Sequence, residues 1–199
     1  MIRKHTLLVA AMAAILALIG CGSDEPQNDI RTAPNGDEFS DADVAFATDM
    51  IQHHAQALQM VDMTVGRTLD PEVQQLTDDI RAAQGPEIEL MAGWLTDWDM
   101  PVPENVRVDA NAGGHRDMEM DSDMPGMMTE EQMNELEAAQ GDVFRDMWLE
   151  MMIMHHQGAV EMAETEQSEG TFGAAIDLAE SIETSQRDEI DVMEQLIDS

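Results

Sequence analysis

The sequence predicts an all-α fold, an antiparallel four-helix bundle built from two tandem helical-hairpin repeats. The pattern of residues 50–60 recurs at residues 152–162, and the same offset aligns the segments that follow each copy. Apolar residues in both copies recur at the three- and four-residue spacing of a helix, and no segment shows the alternation of a strand. Two helical hairpins bury their apolar faces most economically against each other, in one four-helix bundle.

Residues 1–20 have the pattern of a lipoprotein-type signal peptide. Arg3 and Lys4 precede an apolar run over residues 7–19, which is too short for a membrane-spanning helix. The run ends at Cys21 in a pattern similar to a bacterial lipobox, so Cys21 is expected to carry a lipid anchor. An ordinary signal peptide with an incidental cysteine is the alternative. Both interpretations predict export, to the periplasmic or outer side of a bacterial membrane.

The rest of the chain divides into a tether and one domain. Residues 21–38 are polar and lack apolar periodicity, so they are predicted to form a flexible tether. Residues 39–199 have the length of a single domain. Within this domain, repeat one covers residues 39–99, a Met-rich connection covers residues 100–128, and repeat two covers residues 129–199.

The first repeat carries the start and stop signals of two helices. Ser40 suits the N-cap of the first helix, which is predicted to end near Gly66. Asp70 and Pro71 suit the N-cap and first turn of the second helix. This helix is predicted to reach residues 94–98.

The second repeat carries similar signals, with a short helix in front. Thr129 and Gln132 form a capping-box pattern that predicts the start of this lead-in helix. Asp142 is predicted to cap the main helix, and Gly170 to end it. The last helix is predicted to run from about residue 172 to the end of the chain.

Composition excludes some classes of function. The formal net charge of −33 repels nucleic acid, so no nucleic-acid partner is expected. This charge fits either the attraction of cations or a solvated surface, and does not decide between them. Because Cys21 is the only cysteine, a soft metal would have to be bound through imidazole or thioether groups. The 19 methionines outnumber the leucines although Met specifies a core less well, which indicates a use beyond packing.

Each repeat places two adjacent histidines on the apolar face of its first helix. On a helical wheel the histidines share one stripe with two methionines, and this stripe is predicted to face the interior. The first methionine precedes the two histidines by three and four residues, so their side chains can converge. The candidate metal ligands are therefore Met50, His53, His54 and Met60 in repeat one and Met152, His155, His156 and Met162 in repeat two. Met60 and Met162 taken alone would be ordinary core residues.

The second helix of each repeat places an amide and a carboxylate among apolar residues. These are Gln84 and Glu87 in repeat one, and Gln186 and Glu189 in repeat two. Burying an unpaired carboxylate is costly, so Glu87 and Glu189 are expected to face the histidines. Two interpretations stay open at this point. Each pair is either a purely structural ion pair, or the glutamate orients a histidine whose other nitrogen binds a metal.

The connection between the repeats contains the second group of candidate metal ligands, His115, Met118, Met120, Met124, Met127 and Met128. No helical period organises these methionines, so exposed thioethers that bind a soft cation are predicted. Thioether and imidazole ligands without thiolate favour Cu(I), and Ag(I) by analogy. The alternative is a loop that folds its methionines onto the bundle. A further stripe of Met147, Met151 and Met154 is interpreted as helix packing or a homodimer contact.

The repeated pattern Met-x-x-His-His-x-x-Ala-x-x-Met, followed by Gln-x-x-Glu-Ile-x-x-Met, resembles domain-of-unknown-function family 305. This family includes the CopM-like periplasmic copper-binding proteins. The resemblance implies a ferritin-like bundle, export, and copper bound through the Met and His residues of the two copies, with the Met-rich connection as a further site. Di-iron sites of ferritin-like proteins need Glu-x-x-His, whereas Met50 and Met152 occupy the glutamate positions here. The thioethers favour copper over iron.

The sequence thus predicts a membrane-anchored protein that binds copper for sequestration, resistance or delivery. Its expected partners are the metal ion, the membrane through Cys21, and a copper-handling protein. The main alternative is a helical interaction module that binds a partner through Met-rich surfaces, with structural His–Glu pairs. No enzymatic activity is expected. Oxidation of Cu(I) is the weakest hypothesis, because no electron path or second type of metal site is visible.

Overall fold

A computed structural model of the protein describes residues 29–103 and 124–198. Its elements are β1 (Arg31–Thr32), β2 (Glu38–Phe39), α1 (Asp41–Asp62), α2 (Pro71–Asp97), α3 (Glu130–Ala138), α4 (Gly141–Glu169) and α5 (Gly173–Ile197). The four long helices form an all-α bundle, and the short α3 leads into α4. None of the helices in the described ranges is both long and apolar enough to cross a membrane.

Most helix ends are where capping chemistry predicts them. Ser40 caps α1 in a capping box with Asp43, and Thr129 caps α3 in a capping box with Gln132. The N-cap of α4 is Gln140, so the prediction of Asp142 as its cap is wrong. Gly141 has φ +56°, a value that glycine adopts readily. This glycine turns the chain into α4 and leaves Asp142 inside the first turn. The helix dipole stabilises a carboxylate at that position.

The two hairpins face each other through α1 and α4, which run antiparallel. The start of α1 contacts the end of α4, because Asp43 accepts a hydrogen bond from Phe172 N just beyond α4. The end of α1 contacts the beginning of α4, because Trp148 Nε1 donates to Met60 O at 2.9 Å. The middles of the two helices therefore lie side by side, and this is where both copies of the His-His pair fall.

The core has two apolar ends. One end gathers the stacked rings of Phe39 and Trp98, with Phe172 edge-on to Trp98. The other end packs Phe144 and Trp148 with Met60, Leu136 and other apolar residues. These large buried side chains fix the two hairpins at both ends.

Part of the segment predicted to be a flexible tether forms a small hairpin on the bundle. Arg31 pairs with Phe39 across the two strands, and Thr32 pairs with Glu38. The guanidinium of Arg31 lies 4.7 Å from the centre of the Phe39 ring, and Ala33 is buried. Burial of these groups compensates for the polar composition of residues 29–38, so the folded part begins earlier than the pattern of apolar residues predicts.

A buried pair of carboxyl groups joins the start of α1 to the turn between α4 and α5. Asp43 Oδ2 accepts from the backbone N and the hydroxyl of Ser40, both at 2.6 Å. Asp43 Oδ1 accepts from Thr171 N at 2.9 Å and Phe172 N at 2.8 Å. Burial would raise the pKa of Asp43, but hydrogen bonds from Glu166 and these donors together lower it.

Glu166, in the last turn of α4, is the other member of this pair and is only 1% exposed. Burial raises the pKa of Glu166 to about 9, and the adjacent Asp43 adds to the shift. At neutral pH Glu166 is therefore protonated, whereas Asp43 beside it is ionised. Two neighbouring buried carboxyl groups thus take different protonation states, and the ionised Asp43 accepts hydrogen bonds from the start of α1 and from the turn after α4.

Candidate metal centre

The two copies of the His-His pair meet in the interior of the bundle. The rings of His53 and His155 are 3.7 Å apart between centroids, with their planes tilted by 40°. All four histidines are 0% exposed. The structure thus places His53, His54, His155 and His156 on the inner face, as their helical spacing predicts. Their role as metal ligands stays a prediction.

The glutamates of α2 and α5 lie against the outer histidine of each pair. His54 Nε2 is 2.7 Å from Glu87 Oε2, and His156 Nε2 is 2.7 Å from Glu189 Oε2. An ionised carboxylate can only accept, so each Nε2 carries a hydrogen, and in the neutral ring Nδ1 keeps a free lone pair. This is the arrangement in which a carboxylate orients an imidazole for metal binding through its other nitrogen.

The inner histidines have different surroundings. His53 Nε2 is 3.1 Å from Pro125 O. A carbonyl can only accept, so this contact also assigns the hydrogen to Nε2 and leaves Nδ1 of His53 unprotonated. Burial lowers the pKa of His53 to about 3, with the nearby His54 adding to the shift. Burial, followed by repulsion from His53, lowers the pKa of His155 well below 6.5. Both inner rings are therefore neutral at pH 7 and able to bind a metal.

Several buried polar atoms of this region have no hydrogen-bond partner within residues 29–103 and 124–198. Buried polar atoms are nearly always paired, so such a concentration in one region needs an explanation. The unpaired atoms are His53 Nδ1, His54 Nδ1, His156 Nδ1, both ring nitrogens of His155, both amide atoms of Gln84, and Gln186 Oε1. The imidazole nitrogens among them carry the lone pairs that a soft metal ion can bind.

Thioether groups accompany these nitrogens. Met50, Met60 and Met152 are fully buried, and Met162 is half-buried. Among the residues that the structure describes, no three His, Cys, Asp or Glu side chains are grouped to hold a metal ion. A metal in this interior would therefore need paired imidazoles or thioether ligands, which again favours a soft monovalent cation.

The described end of the Met-rich connection packs on the histidine region. Met127 and Met128 are 7% and 6% exposed, so the prediction of exposed thioethers is wrong for these two residues. Gln56 explains their burial, because its amide donates to Met128 O at 2.8 Å and accepts from Met128 N at 2.7 Å. Met124 is half-buried. His115, Met118 and Met120 lie outside the described residues, as does Cys21.

The outer stripe of α4 is only partly buried. Met151 is buried, Met147 is half-buried and Met154 is exposed. Packing against the core therefore accounts for Met151 and Met147, but not for Met154.

A groove of about 500 Å³ lies between the first half of α2 and the second half of α5. Its lining includes the apolar Leu76 and Val192, the carboxylates of Asp79 and Asp188, and Glu189. Glu189 also contacts the buried His156, so one residue connects the acidic groove to the interior.

Comparisons with known proteins give matches over most of the chain. Residues 43–197 match the model of a family described as a domain of unknown function, DUF305. A solved DUF305 protein of Streptomyces coelicolor, described as secreted, is 34% identical with a TM-score of 0.65, covering 78% of this chain and 91% of that one. A DUF305 fragment from Deinococcus radiodurans is 28% identical with a TM-score of 0.67, covering 84% of this chain and 98% of that one.

The chain is also similar to CopM, which has been solved in Cu(II)-bound, Cu(I)-bound and Ag-bound forms. The Cu(II)-bound form is 30% identical to this chain with a TM-score of 0.62, and the match covers 78% of this chain and 95% of CopM. No curated protein shows significant similarity to the chain.

Proposed function

We propose that this chain, which belongs to the DUF305 family, is an exported copper-binding protein that holds Cu(I) in the interior of its helical bundle. The observation that carries the proposal is the group of buried imidazole nitrogens at the contact between α1 and α4 that have no partner in the described part of the chain. The similarity to CopM, solved with Cu(I) and with Ag, supports the choice of metal.

The proposed ligands are imidazole nitrogens of the four histidines, with thioether sulfurs completing the coordination. His53, His54 and His156 each have a hydrogen on Nε2, so Nδ1 is the atom that would bind a metal. Met50 and Met152 lie one helical turn before these histidines on the same faces. Neutral imidazole and thioether groups suit Cu(I) and Ag(I), and the acidic groove beside Glu189 attracts cations toward the interior.

Export and anchoring are part of the proposal. Residues 1–20 would direct the chain out of the cytoplasm, and a lipid on Cys21 would hold the bundle at a bacterial membrane. The description of the Streptomyces coelicolor relative as secreted supports export. At this location the protein would sequester copper or deliver it to a copper-handling partner, a binding role without catalysis.

A competition titration tests the proposal. The purified chain is titrated with Cu(I) against a chromophoric chelator, with a variant that removes both groups of candidate ligands as the comparison. This variant carries His53, His54, His155 and His156→Ala together with Met118, Met120, Met124, Met127 and Met128→Leu. Wild type is expected to withdraw Cu(I) from the chelator and the variant to lose this ability. Equal affinities would contradict the proposal.

Removal of either glutamate should show whether the His–Glu pair is purely structural or orients the histidine for metal binding. In Glu87→Leu, His54 loses the acceptor that holds its hydrogen on Nε2. Loss of such an orienting partner typically weakens metal binding by about 10–100-fold. Glu87→Gln keeps an acceptor and is expected to retain most of the affinity. The same pair of changes at Glu189 provides an independent copy of the experiment, and an unaltered Cu(I) affinity in both leucine variants would exclude the orienting role.

A helical interaction module is the second candidate function, favoured by the satisfied His54–Glu87 and His156–Glu189 contacts and by the exposed Val143 and Met154 on α4. In this case a partner protein would be recovered with and without copper. This function leaves the unpaired nitrogens of His53 and His155 unexplained, so copper binding accounts for more of the structure.

A further inference from the structure

Residues 124–129 form a strap that crosses the helical bundle beside the inner histidines. Two contacts fix the strap to α1, namely the paired hydrogen bonds between Gln56 and Met128 and the contact between Pro125 O and His53 Nε2. The strap also lies directly on α4. A Cβ built on Gly158 would be 2.1 Å from Pro125 O, and a Cβ built on Gly126 would be 2.7 Å from Met154 O.

We propose that this strap selects the metal-binding atom of His53, and that Gly158 is the positioning residue that admits the strap. The inference rests on the proposed copper function. Pro125 O holds the hydrogen of His53 on Nε2, so Nδ1 is presented as the ligand atom. Gly158 acts only through the strap, because the absence of a side chain at this position allows Pro125 O to approach the backbone of α4.

His53 depends on this carbonyl because none of the carboxylates in residues 29–103 and 124–198 is within hydrogen-bond distance of its ring. Glu87 is within hydrogen-bond distance of His54, and Glu189 is within hydrogen-bond distance of His156. His155 shows the result of having no such neighbour, since neither of its ring nitrogens has a hydrogen-bond partner in the described part of the chain. The two touching rings therefore differ. A carbonyl contact commits His53 to one tautomer, whereas neither ring nitrogen of His155 has such a contact in the described residues.

The repeats differ in sequence at the place where the strap passes. Gln56 and Gly158 occupy equivalent positions in the two copies, two residues after the second histidine of each pair. In α1 the long amide side chain grips Met128, and in α4 the glycine leaves room for Pro125 and Gly126. At two equivalent positions the strap therefore contacts a long side chain in one repeat and the bare backbone of a glycine in the other.

Gly158→Ala tests the inference, because Ala favours the helix while its Cβ excludes the strap. The first measurement is the tautomer of His53, by 15N NMR of the imidazole in metal-free protein. Wild type should show one population with the hydrogen on Nε2, and the variant a mixture. The second measurement is Cu(I) affinity, expected to fall by about 10–100-fold, the usual effect of losing a partner that orients a ligand. Gly93→Ala in α2, where a Cβ would meet nothing within 4 Å, is the matched control and should change neither quantity.

Gly126→Ala places the added Cβ on the strap and leaves the sequence of α4 unchanged. This second variant tests the inference if Gly158→Ala does not fold. An unchanged His53 tautomer in a folded variant overturns the inference. A shifted tautomer with unchanged Cu(I) affinity also overturns it, because the strap would then not act on metal binding. Failure of the proposed function is distinct, since wild type would bind no Cu(I) while the tautomer of metal-free His53 still shifted in the variant.

Discussion

His155→Leu is expected to weaken Cu(I) binding by at least about 100-fold and, at the same time, to stabilise the metal-free protein. His155 is fully buried, and neither of its ring nitrogens has a partner among the described residues. Leaving a buried polar group unpaired costs about 1–3 kcal/mol, whereas an apolar side chain of similar size avoids this cost. The gain in the free energy of unfolding is expected to be about 1 kcal/mol. Opposite effects on metal affinity and on stability are the signature of a residue kept for binding.

His54→Leu is the matched control for stability. His54 is equally buried but pairs with Glu87, whose side chain is 17% exposed. Removing this histidine leaves a partly buried carboxylate without its partner, so the metal-free variant should lose stability. Urea denaturation of the metal-free proteins measures both changes, and a Cu(I) competition titration measures affinity. A His155→Leu variant that loses stability and retains affinity would identify His155 as a structural residue.

Glu166→Gln is expected to remove a large pH dependence from the stability of the protein. The folded state keeps the proton of Glu166 up to about pH 9, whereas the unfolded chain releases it near the ordinary value of 4.5. Between these two values the folded state binds more protons, so this group makes the protein less stable as pH rises. A glutamine at this position has nearly the same shape as the protonated glutamate and does not titrate. The free energy of unfolding of the variant should therefore increase relative to that of wild type, by on the order of 1 kcal/mol for each pH unit between these two values.

Denaturation of both proteins at several values from pH 4 to pH 9 checks this result. The many other carboxylates are common to both proteins, so their contributions cancel in the difference. Glu161→Gln, an exposed carboxylate on the same helix, makes the same change in charge and is expected to alter stability by less than about 0.5 kcal/mol at every pH. A constant difference between the Glu166→Gln variant and wild type would show that Glu166 is ionised in the folded protein.

The helices and their inner faces could be predicted because both depend on local spacing. The duplicated stripe predicts that His53 and His155 face the interior. The structure adds that the antiparallel pairing of α1 and α4 brings the two rings into contact. The carboxylates of Glu87 and Glu189 could be assigned to histidines because a buried charge needs a partner. The capping residues Ser40 and Thr129 could also be predicted, because each forms its hydrogen bonds within the first turn of its own helix.

The contacts that could not be predicted join segments far apart in sequence. The strap meets His53 and Gln56 across 72 residues, and no local pattern specifies such a pairing. The burial of Met127 and Met128 follows from this strap. Glu166 likewise reads as one of many acidic residues, and only the packing of α1 against the end of α4 places it beside Asp43. The one available signal was the difference between Gln56 and Gly158 in otherwise similar copies.

The touching rings of His53 and His155 belong to different hairpins, and this has a mechanical consequence. An ion held by both rings would clamp the halves of the molecule together, so its binding free energy would oppose their separation. At a free-ion concentration 100 times the Kd, the added resistance is about 2.7 kcal/mol. The resistance of the two hairpins to separation would then depend on the free copper concentration, and the hairpins of the metal-free protein would separate more readily than those of the copper-bound protein.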